Sequence, residues 1–364
     1  MKLFGYFKYA GLYFCKSFPV EVTFFVTSKC NFRCKHCFNW QAIDESKQKK
    51  ELAIDEIRKV TENTPHFLRL LLSGGEPYLR NDLPEICHLF YMNCKVKYIS
   101  IPTNGSMPDR NLEMTGKILR LCPDAYINIS LSLDALGKKR DEFVGFNGSF
   151  EKFEETYSLL QGLKKKYTNL GIFVITTHAK DNENDLLNIY DYATKKLKVD
   201  NFGFNVVRGS PKLSNVKDVD LRYFKELTKK MADDSKKRTR SRFPFHNMYI
   251  TKKNFQYEMF YKIRKDKKYV IPCYSGKIRF VMNEVGDIYP CETYMYDRPQ
   301  LKFGNVRDYN YNVKKIIKSI RAREITDMIR KTKCFCTHEC DLSTNILFNI
   351  KFLPKLLVRS VLRK

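Results

Sequence analysis

The chain has 364 residues, of which 43% are hydrophobic, and this allows one large domain and a smaller one. Its net charge of +26 favours polyanionic partners, although a lysine-rich solvated surface explains the charge equally well. Twelve cysteines are too sparse for a disulfide scaffold, no apolar run is long enough to span a bilayer, and no secretory cleavage site is present, so we expect a cytoplasmic protein.

Strand-like and helix-like segments alternate along the chain. Apolar runs bounded by turn residues predict strands at 20–27, 67–72, 96–101, 126–133, 171–177 and 202–207. Segments of helical period predict helices at 53–63, 82–92, 111–121, 149–167, 182–198 and 218–233. This alternation predicts an α/β fold with a mostly parallel sheet, and six units without an early reversal fit a partial (β/α)6 TIM-like barrel.

Three cysteines, Cys30, Cys34 and Cys37, follow the first predicted strand. Their spacing lets three thiolates turn toward one point, which suits a metal cluster. Because a [4Fe–4S] cluster normally has four protein ligands, three would leave one iron open. A redox dithiol would not need Cys30, and a zinc site would need a fourth ligand, for which His36 is badly placed inside the Cys34–Cys37 pair.

Polar and glycine-rich segments follow later strands, namely SGGEP at 73–77, TNG at 103–105, SLSLD at 130–134 and RG at 208–209. The carboxyl ends of parallel strands meet at one rim of a barrel, and barrel active sites form there. We therefore expect these segments and the three cysteines to share one ligand site.

The Cys-x3-Cys-x2-Cys motif, together with Gly-Gly-Glu-Pro at 74–77, resembles the radical S-adenosylmethionine (radical SAM) superfamily over residues 20–208. The resemblance implies a [4Fe–4S] cluster held by Cys30, Cys34 and Cys37, with S-adenosylmethionine (SAM) at its open iron. Reductive cleavage of SAM would give a 5′-deoxyadenosyl radical that abstracts hydrogen from a substrate. An external one-electron donor such as flavodoxin or ferredoxin is implied as well.

The resemblance also implies which residues bind SAM. Gly74 and Gly75 lack side chains, so that the backbone can approach the methionine amino group closely, and Glu76 offers an acceptor beside the ammonium. Glu76 could instead complement the start of a helix. Pro77 fixes the loop, and His36 occupies the usual aromatic position against adenine, unless it faces solvent.

Four further residues are implied near the cofactor. Asn104 would bond SAM or take a turn conformation before a glycine, and Ser132 resembles a group that reaches the ribose or the methionine carboxylate. Asp134 would bind the cofactor or cap the following helix. Many members have Arg-Gly where this chain has VG at 144–145, so Arg208 is our candidate for the counter-charge of the carboxylate.

The C-terminal part contains five more cysteines, Cys273, Cys291, Cys334, Cys336 and Cys340. The segment IRFVMNEVGDIYPC at 278–291 predicts a hairpin that turns at 283–286. The pattern resembles a shortened SPASM/twitch tail of the superfamily. Five thiols imply one auxiliary [4Fe–4S] cluster with one thiol to spare, zinc being the alternative, and His338 is either a further ligand or exposed.

The predicted organisation is an N-terminal extension (1–19), a radical SAM partial barrel (20–235), a linker with a basic run (236–271), a SPASM/twitch-like iron–sulfur domain (272–341) and a basic amphipathic tail (342–364). The tail mixes apolar and basic residues without acids. It therefore predicts either a helix that packs on the barrel or a segment that binds an anionic membrane surface.

The leading hypothesis is a radical SAM enzyme that acts on a C–H bond of an unidentified substrate, which could be a peptide, a lipid or a small metabolite. The alternative is a basic RNA- or membrane-surface-binding protein with a structural metal site. The basic residues are dispersed and no RNA-binding module is recognisable, so nucleic acid is not expected as a partner. A plain dithiol oxidoreductase would leave Cys30 and the glycine loop unexplained.

Overall fold

A computed structural model describes residues 11–16, 18–237 and 246–361. Most of the basic run at 236–242 and the first ten residues of the predicted N-terminal extension lie outside these ranges. The strands of the described residues are β1 (Glu21–Thr27), β2 (Arg69–Gly74), β3 (Tyr98–Thr103), β4 (Tyr126–Ser132), β5 (Leu170–His178), β6 (Asn201–Val206), β7 (Arg279–Met282), β8 (Asp287–Tyr289) and β9 (Gly304–Asn305).

Helices connect and cover these strands. They are α1 (Trp40–Asp44), α2 (Ile54–Glu62), α3 (Leu83–Cys94), α4 (Pro108–Leu121), α5 (Lys138–Val144), α6 (Ser149–Lys164), α7 (Leu186–Asp191), α8 (Leu221–Lys237), α9 (His246–Asp266), α10 (Glu292–Asp297), α11 (Val313–Ile317), α12 (Ile320–Lys331), α13 (Glu339–Leu347) and α14 (Leu353–Val361). None of the described helices is both long and apolar enough to cross a membrane.

The first six strands form the predicted partial barrel. They lie side by side in chain order and all pair in parallel, in the sheet order β6-β5-β4-β3-β2-β1-β7-β8-β9. Side chains of β3 and β6 alternate, with Ile99, Ile101 and Phe202 buried under the helices and polar residues on the opposite face, toward the lumen. The predicted fold class is thereby confirmed.

The lumen side of the sheet carries charge at its amino-terminal end. One register row joins Arg279, Glu21, Arg69, Tyr98 and Tyr126 across five adjacent strands. Glu21 lies 3.0 Å from Arg69 and 3.2 Å from Arg279, so both arginines share one carboxylate. The barrel interior is therefore polar at this level.

The C-terminal hairpin extends the barrel sheet. Strands β7 and β8 pair antiparallel around the predicted turn, and β7 also pairs in parallel with β1. The sequence predicts the hairpin because its turn signal is local, whereas its docking on β1 depends on residues more than 250 positions apart. The C-terminal part is thus continuous with the sheet of the barrel.

The region predicted as a linker, 236–271, contains the 21-residue helix α9. Its buried Phe255, Phe260 and Ile263 pack in the main core, and the helix contacts α13 and α14. The basic run next to it led us to expect an exposed segment. The single helix predicted at 182–198 does not form. A 3-10 turn, the short helix α7 and a π-helical turn follow one another in this segment instead.

Candidate active site and cysteine centres

The three cysteines after β1 are free thiols, each half-buried, at the carboxyl end of the first strand. Burial raises the pKa of Cys30 to about 12, and it raises those of Cys34 and Cys37 as well, with the neighbouring thiols adding to the shift of Cys30 and Cys34. Three crowded thiolates therefore need positive charge beside them. Iron ions supply that charge, so the donor set fits an iron–sulfur cluster.

The glycine loop after β2 packs directly on the cysteine loop. A Cβ atom on Gly74, whose φ is +130°, would lie 2.1 Å from the carbonyl oxygen of Thr27, and one on Gly75 would lie 2.1 Å from that of Lys29. The amide of Gly75 donates to Thr27 at 2.8 Å, and that of Glu76 donates to Lys29 at 2.8 Å. The chain's own backbone thus explains both glycines, and close approach of SAM stays a prediction.

Glu76 is buried at the centre of this rim. Its carboxylate accepts from the amide of Tyr78 at 3.1 Å and from that of Asn104 at 2.7 Å. Burial raises its pKa to about 7, although these two hydrogen bonds oppose the shift. Glu76 therefore caps the 3-10 turn that begins at Pro77 and ties the second strand end to the third.

His36 and Asp134 meet at the rim. The Nε2 atom of His36 lies 3.5 Å from Oδ2 of Asp134, and its ring centroid lies 4.8 Å from that of Phe143. Its Nδ1 atom is buried and has no hydrogen-bond partner within the described part of the chain. Asp134 accepts from the amide of Thr177 at 2.6 Å and makes no helix cap, because Gly137 stands at the start of α5.

Asn104 and Ser132 are brought together by Arg140, a residue that the sequence analysis missed. Arg140 is 1% exposed and donates to the carbonyl oxygens of Asn104 at 2.8 Å and Ser132 at 3.0 Å. The side chain of Asn104 donates to Asn31 at 2.8 Å. Arg140 follows two lysines in α5 and has no distinguishing local signal.

Arg140 keeps its charge without a carboxylate. No carboxylate of the described residues lies within 4.0 Å of its guanidinium, and its buried Nε has no hydrogen-bond partner among them. Burial lowers its pKa to about 10, and the charges of Asp134 and Cys34 oppose that shift. It is thus a buried cation beside the cysteine site.

Arg208, our sequence candidate for the counter-charge, is already occupied by protein carboxylates. It lies 2.8 Å from Glu292 and 2.8 Å from Glu339, and its guanidinium lies over the ring of Phe38 at 5.0 Å. These contacts link β6 to α10 and α13. Arg208 therefore binds the C-terminal region to the barrel rim.

The C-terminal cysteines fall into two environments. Cys273, Cys334 and Cys336 line one small cavity, and the thiols of Cys273 and Cys336 contribute to the raised pKa of the buried Cys291. Cys340 does not line this cavity. Its charged neighbours are Arg279, Glu21, Glu292 and Arg208. Four thiols are therefore grouped, and one is apart.

His338 is buried, contrary to one of the two expectations. Its Nε2 lies 2.9 Å from Glu292 and its Nδ1 lies 2.6 Å from Asp341, so both ring nitrogens are used. Burial lowers its pKa, but the charge of Glu292 outweighs this effect and the net result is a rise to about 9. The imidazole thus lies between two carboxylates, one at each ring nitrogen.

The cysteines are not arranged as compactly as the ligands of a single zinc ion. Thiolates on one tetrahedral zinc lie roughly 3.8 Å apart, given Zn–S distances of about 2.3 Å. Among the described residues, the three or more potential ligands whose donor atoms all lie within 4.8 Å are Glu292, His338 and Cys340. Neither the triad nor the C-terminal thiols offer three donor atoms as close together as these.

Comparisons with known proteins agree with this architecture. Residues 24–193 match the family model of the Radical SAM superfamily. The chain is 31% identical over 183 residues to the Fe-coproporphyrin III synthase of Methanosarcina barkeri, which is 50% of this chain and 42% of that protein. The chain spans about two fifths of the length of the first curated relatives it matches.

Two solved structures show the same fold over most of the chain. SuiB of Streptococcus suis bound to S-adenosylmethionine matches with a TM-score of 0.59 and 17% identity, over 85% of this chain and 68% of SuiB. Native anSMEcpe with bound AdoMet matches with a TM-score of 0.61 and 16% identity, over 95% of this chain and 100% of that one.

The superfamily uses a [4Fe–4S] cluster and SAM, and the cysteine triad at the end of β1 suits that cluster. The matched region also contains the glycine loop and the carboxyl ends of β1 to β5. Residues 24–193 are therefore similar to the radical SAM superfamily, and the fold of the chain agrees with this similarity.

Proposed function

We propose that this protein is a radical SAM enzyme that modifies a C–H bond of a peptide, a small metabolite or a lipid. The observation that carries the proposal is the set of three half-buried thiols against which the glycine loop of β2 packs, inside the matched domain. Three thiols leave one coordination position of a four-iron cluster without a protein ligand.

Cys30, Cys34 and Cys37 would hold the cluster, and the rim after β2 to β4 would hold SAM. When bound, the cluster and SAM together supply a 5′-deoxyadenosyl radical for hydrogen abstraction. Glu76 offers an acceptor to the amino group of SAM, and His36 presents a ring beside Asp134 for the adenine.

Arg140 is the better candidate for the carboxylate counter-charge. It has no protein carboxylate within 4.0 Å among the described residues, whereas Arg208 has two at 2.8 Å. Asn104, Ser132 and Asp134 lie on the strand ends around it and complete the proposed SAM site.

The second centre would be an auxiliary [4Fe–4S] cluster on Cys273, Cys291, Cys334 and Cys336. Four protein thiols fill all four irons, so the role we propose is electron transfer rather than substrate binding. Cys340 would be the spare thiol. An external one-electron donor such as flavodoxin or ferredoxin would reduce the enzyme.

Anaerobic reconstitution with iron and sulfide tests this function. We expect about eight irons per chain for two clusters, and formation of 5′-deoxyadenosine when SAM and a reductant are added. Absence of 5′-deoxyadenosine from a chain that carries its iron would refute the proposed activity. An iron content of about four would remove only the auxiliary cluster.

A second proposal concerns an anionic membrane surface. Helix α14 turns Leu357, Val358 and Val361 to solvent, with exposures of 47%, 57% and 60%, while only Leu356 is buried. The basic Lys355 and Arg359 lie beside this apolar stripe, over the ring of Phe255, and Arg359 also pairs with Glu258 at 2.9 Å. An apolar face flanked by bases suits the interface of an anionic bilayer.

Sedimentation with vesicles that contain phosphatidylserine tests the membrane proposal. We expect Leu357→Ser combined with Val361→Ser to reduce the bound fraction severalfold, because both side chains lie on the exposed face. Exchange of two exposed polar residues of α8, Lys225→Ser and Lys229→Ser, controls for lost charge and surface change. Equal binding of all three proteins would contradict the proposal.

A further inference from the structure

A second chamber lies inside the barrel, away from the cysteine loop. It has a volume of about 190 Å³ and lies between the lumen face of the sheet and helices α9 and α13. Its charged floor is the register row at Glu21 and Arg69, and its aromatic walls are Tyr98, Phe173 and Tyr257. Helix α9, in the region the sequence presented as a linker, thus forms one wall of the barrel interior.

The chamber adjoins the proposed SAM rim. Ser130 lines the chamber and Ser132 is the next residue on the same face of β4, about 7 Å farther along the strand. Glu339, which also lines the chamber, pairs with Arg208 at the end of β6. The chamber therefore reaches to within two residues of the carboxyl end of β4, on the side of the barrel where the radical would form.

Lys252 of α9 places a cation in this chamber without an anion beside it. Its Nζ donates to Oγ of Ser343 at 2.7 Å and to Oε1 of Gln256 at 3.4 Å, and both acceptors are neutral. No carboxylate of the described residues lies within 4.0 Å of it. The carboxylate of Glu21 is not a dedicated counter-charge for Lys252, because Arg69 and Arg279 already share it.

The electrostatics of Lys252 agree with this geometry. Burial, and then the charge of Arg69, lower its pKa to about 8 from the usual 10.5. A structural lysine in such a place would normally face a carboxylate, because an unpaired buried charge is costly. Lys252 thus gives the chamber a cation without a carboxylate partner among the described residues, which suits a negative group from outside the protein.

We propose that the chamber is the anion subsite of the substrate pocket, in which a carboxylate or phosphate of a small substrate binds Lys252 while its less polar part packs against Tyr98, Phe173 and Tyr257. This inference rests on the proposed radical SAM activity and adds the substrate class, an organic anion. It assigns Lys252 a role in orienting substrate. It also explains why α9 closes the barrel with a lysine where an apolar residue would pack.

Saturation-transfer NMR with benzoate, and with its neutral analogue benzamide, tests the subsite on the reconstituted protein at constant ionic strength. We expect the wild-type chain to prefer benzoate by about tenfold, in line with one charge-assisted contact. Lys252→Met and Lys252→Gln should reduce the preference to about one, and Lys252→Arg should largely retain it. Lys262→Met, on the exposed side of the same helix, controls for non-specific attraction to a basic protein.

Orthophosphate added as a competitor distinguishes a site that binds only carboxylates from one that also binds phosphate. Displacement of benzoate supports a site that also takes phosphate, and no displacement supports a carboxylate site. Equal binding of benzoate and benzamide by the wild-type chain, no saturation transfer to either, or an undiminished preference in both neutral variants would overturn the proposal. Formation of 5′-deoxyadenosine in the same sample judges the proposed activity separately, so the two failures are distinguishable.

Discussion

The two cysteine regions of this protein differ in the number of thiols and in the groups around them. The barrel has three thiols, and near them Nδ1 of His36 and Nε of Arg140 are buried without partners among the described residues. The C-terminal region groups four thiols beside apolar walls, and its buried His338 has both nitrogens occupied. We infer from this difference that the barrel site is open to a cofactor and that the C-terminal site serves stability or electron transfer.

The largest expected effect comes from replacing Cys30, Cys34 and Cys37 together with alanine. Because these thiols are the proposed ligands of the open cluster, we expect complete loss of 5′-deoxyadenosine formation and a fall in iron content from about eight to about four per chain. Chromatography of SAM products and iron analysis measure both. The exposed Cys15→Ala should match the wild type, and SAM cleavage by the triple variant would contradict the assignment.

The partition of the C-terminal thiols is tested by comparing Cys336→Ala with Cys340→Ala. Cys336 lines the cavity shared with Cys273 and Cys334, whereas Cys340 faces Arg279 and Glu21. We therefore expect about four irons to be lost from the first variant and none from the second. Iron and sulfide analysis decides the matter, and equal losses would place Cys340 among the ligands.

The contact between the glycine loop and the cysteine loop is tested by Gly75→Ala. Its Cβ would lie 2.1 Å from the carbonyl oxygen of Lys29, so the backbone must shift. We expect the free energy of unfolding to fall by about 3 kcal/mol and the barrel cluster to be lost first. Gly162→Ala in α6 has open space around its Cβ and should gain up to about 1 kcal/mol. Similar unfolding midpoints for the two variants would contradict this account.

The smallest expected effect concerns the joint between the barrel and the C-terminal region, which is formed by Glu56, Arg307 and Tyr311. Glu56 of α2 lies 2.7 Å from Arg307 and 3.0 Å from the hydroxyl of Tyr311, and the hydrogen bond from Arg307 is the main cause that lowers its pKa to about 2. Since the folded pKa lies below the unfolded value, the contribution to stability is full above about pH 4.5 and is lost as the pH falls toward 2.

Glu56→Gln should therefore cost about 1–2 kcal/mol at pH 7, and the deficit should shrink between pH 4.5 and pH 3. Urea unfolding of the metal-free chain from pH 7 to pH 3 measures it. Asp109→Gln, in the first turn of α4 and outside the joint, is the control. A deficit that stays constant over this range would show that the ion pair does not join the regions as described.

Much of the fold and part of the site follow from local patterns. The strands of the barrel begin and end within three residues of their predicted bounds, because an apolar run between turn residues is a signal contained in the strand itself. The triad and the glycine loop were recognisable for the same reason, because each motif lies within a few neighbouring residues of the sequence. The hairpin at 283–286 was equally local.

The remaining features depend on contacts between distant residues. Arg140 looks like any surface cation until α5 folds it under the carbonyl groups of Asn104 and Ser132. Cys340 separates from the other thiols because α13 turns it toward Arg279. Lys252 belongs to a segment that resembled a linker until its helix closed the barrel.

The sequence by itself determined the α/β class, the open cysteine triad and the family resemblance. Tertiary structure alone decided which cations face the site, which thiol stands apart and what encloses the lumen. The physical reason is that burial and electrostatic neighbours set the state of a side chain, and both depend on segments that are far apart in the chain.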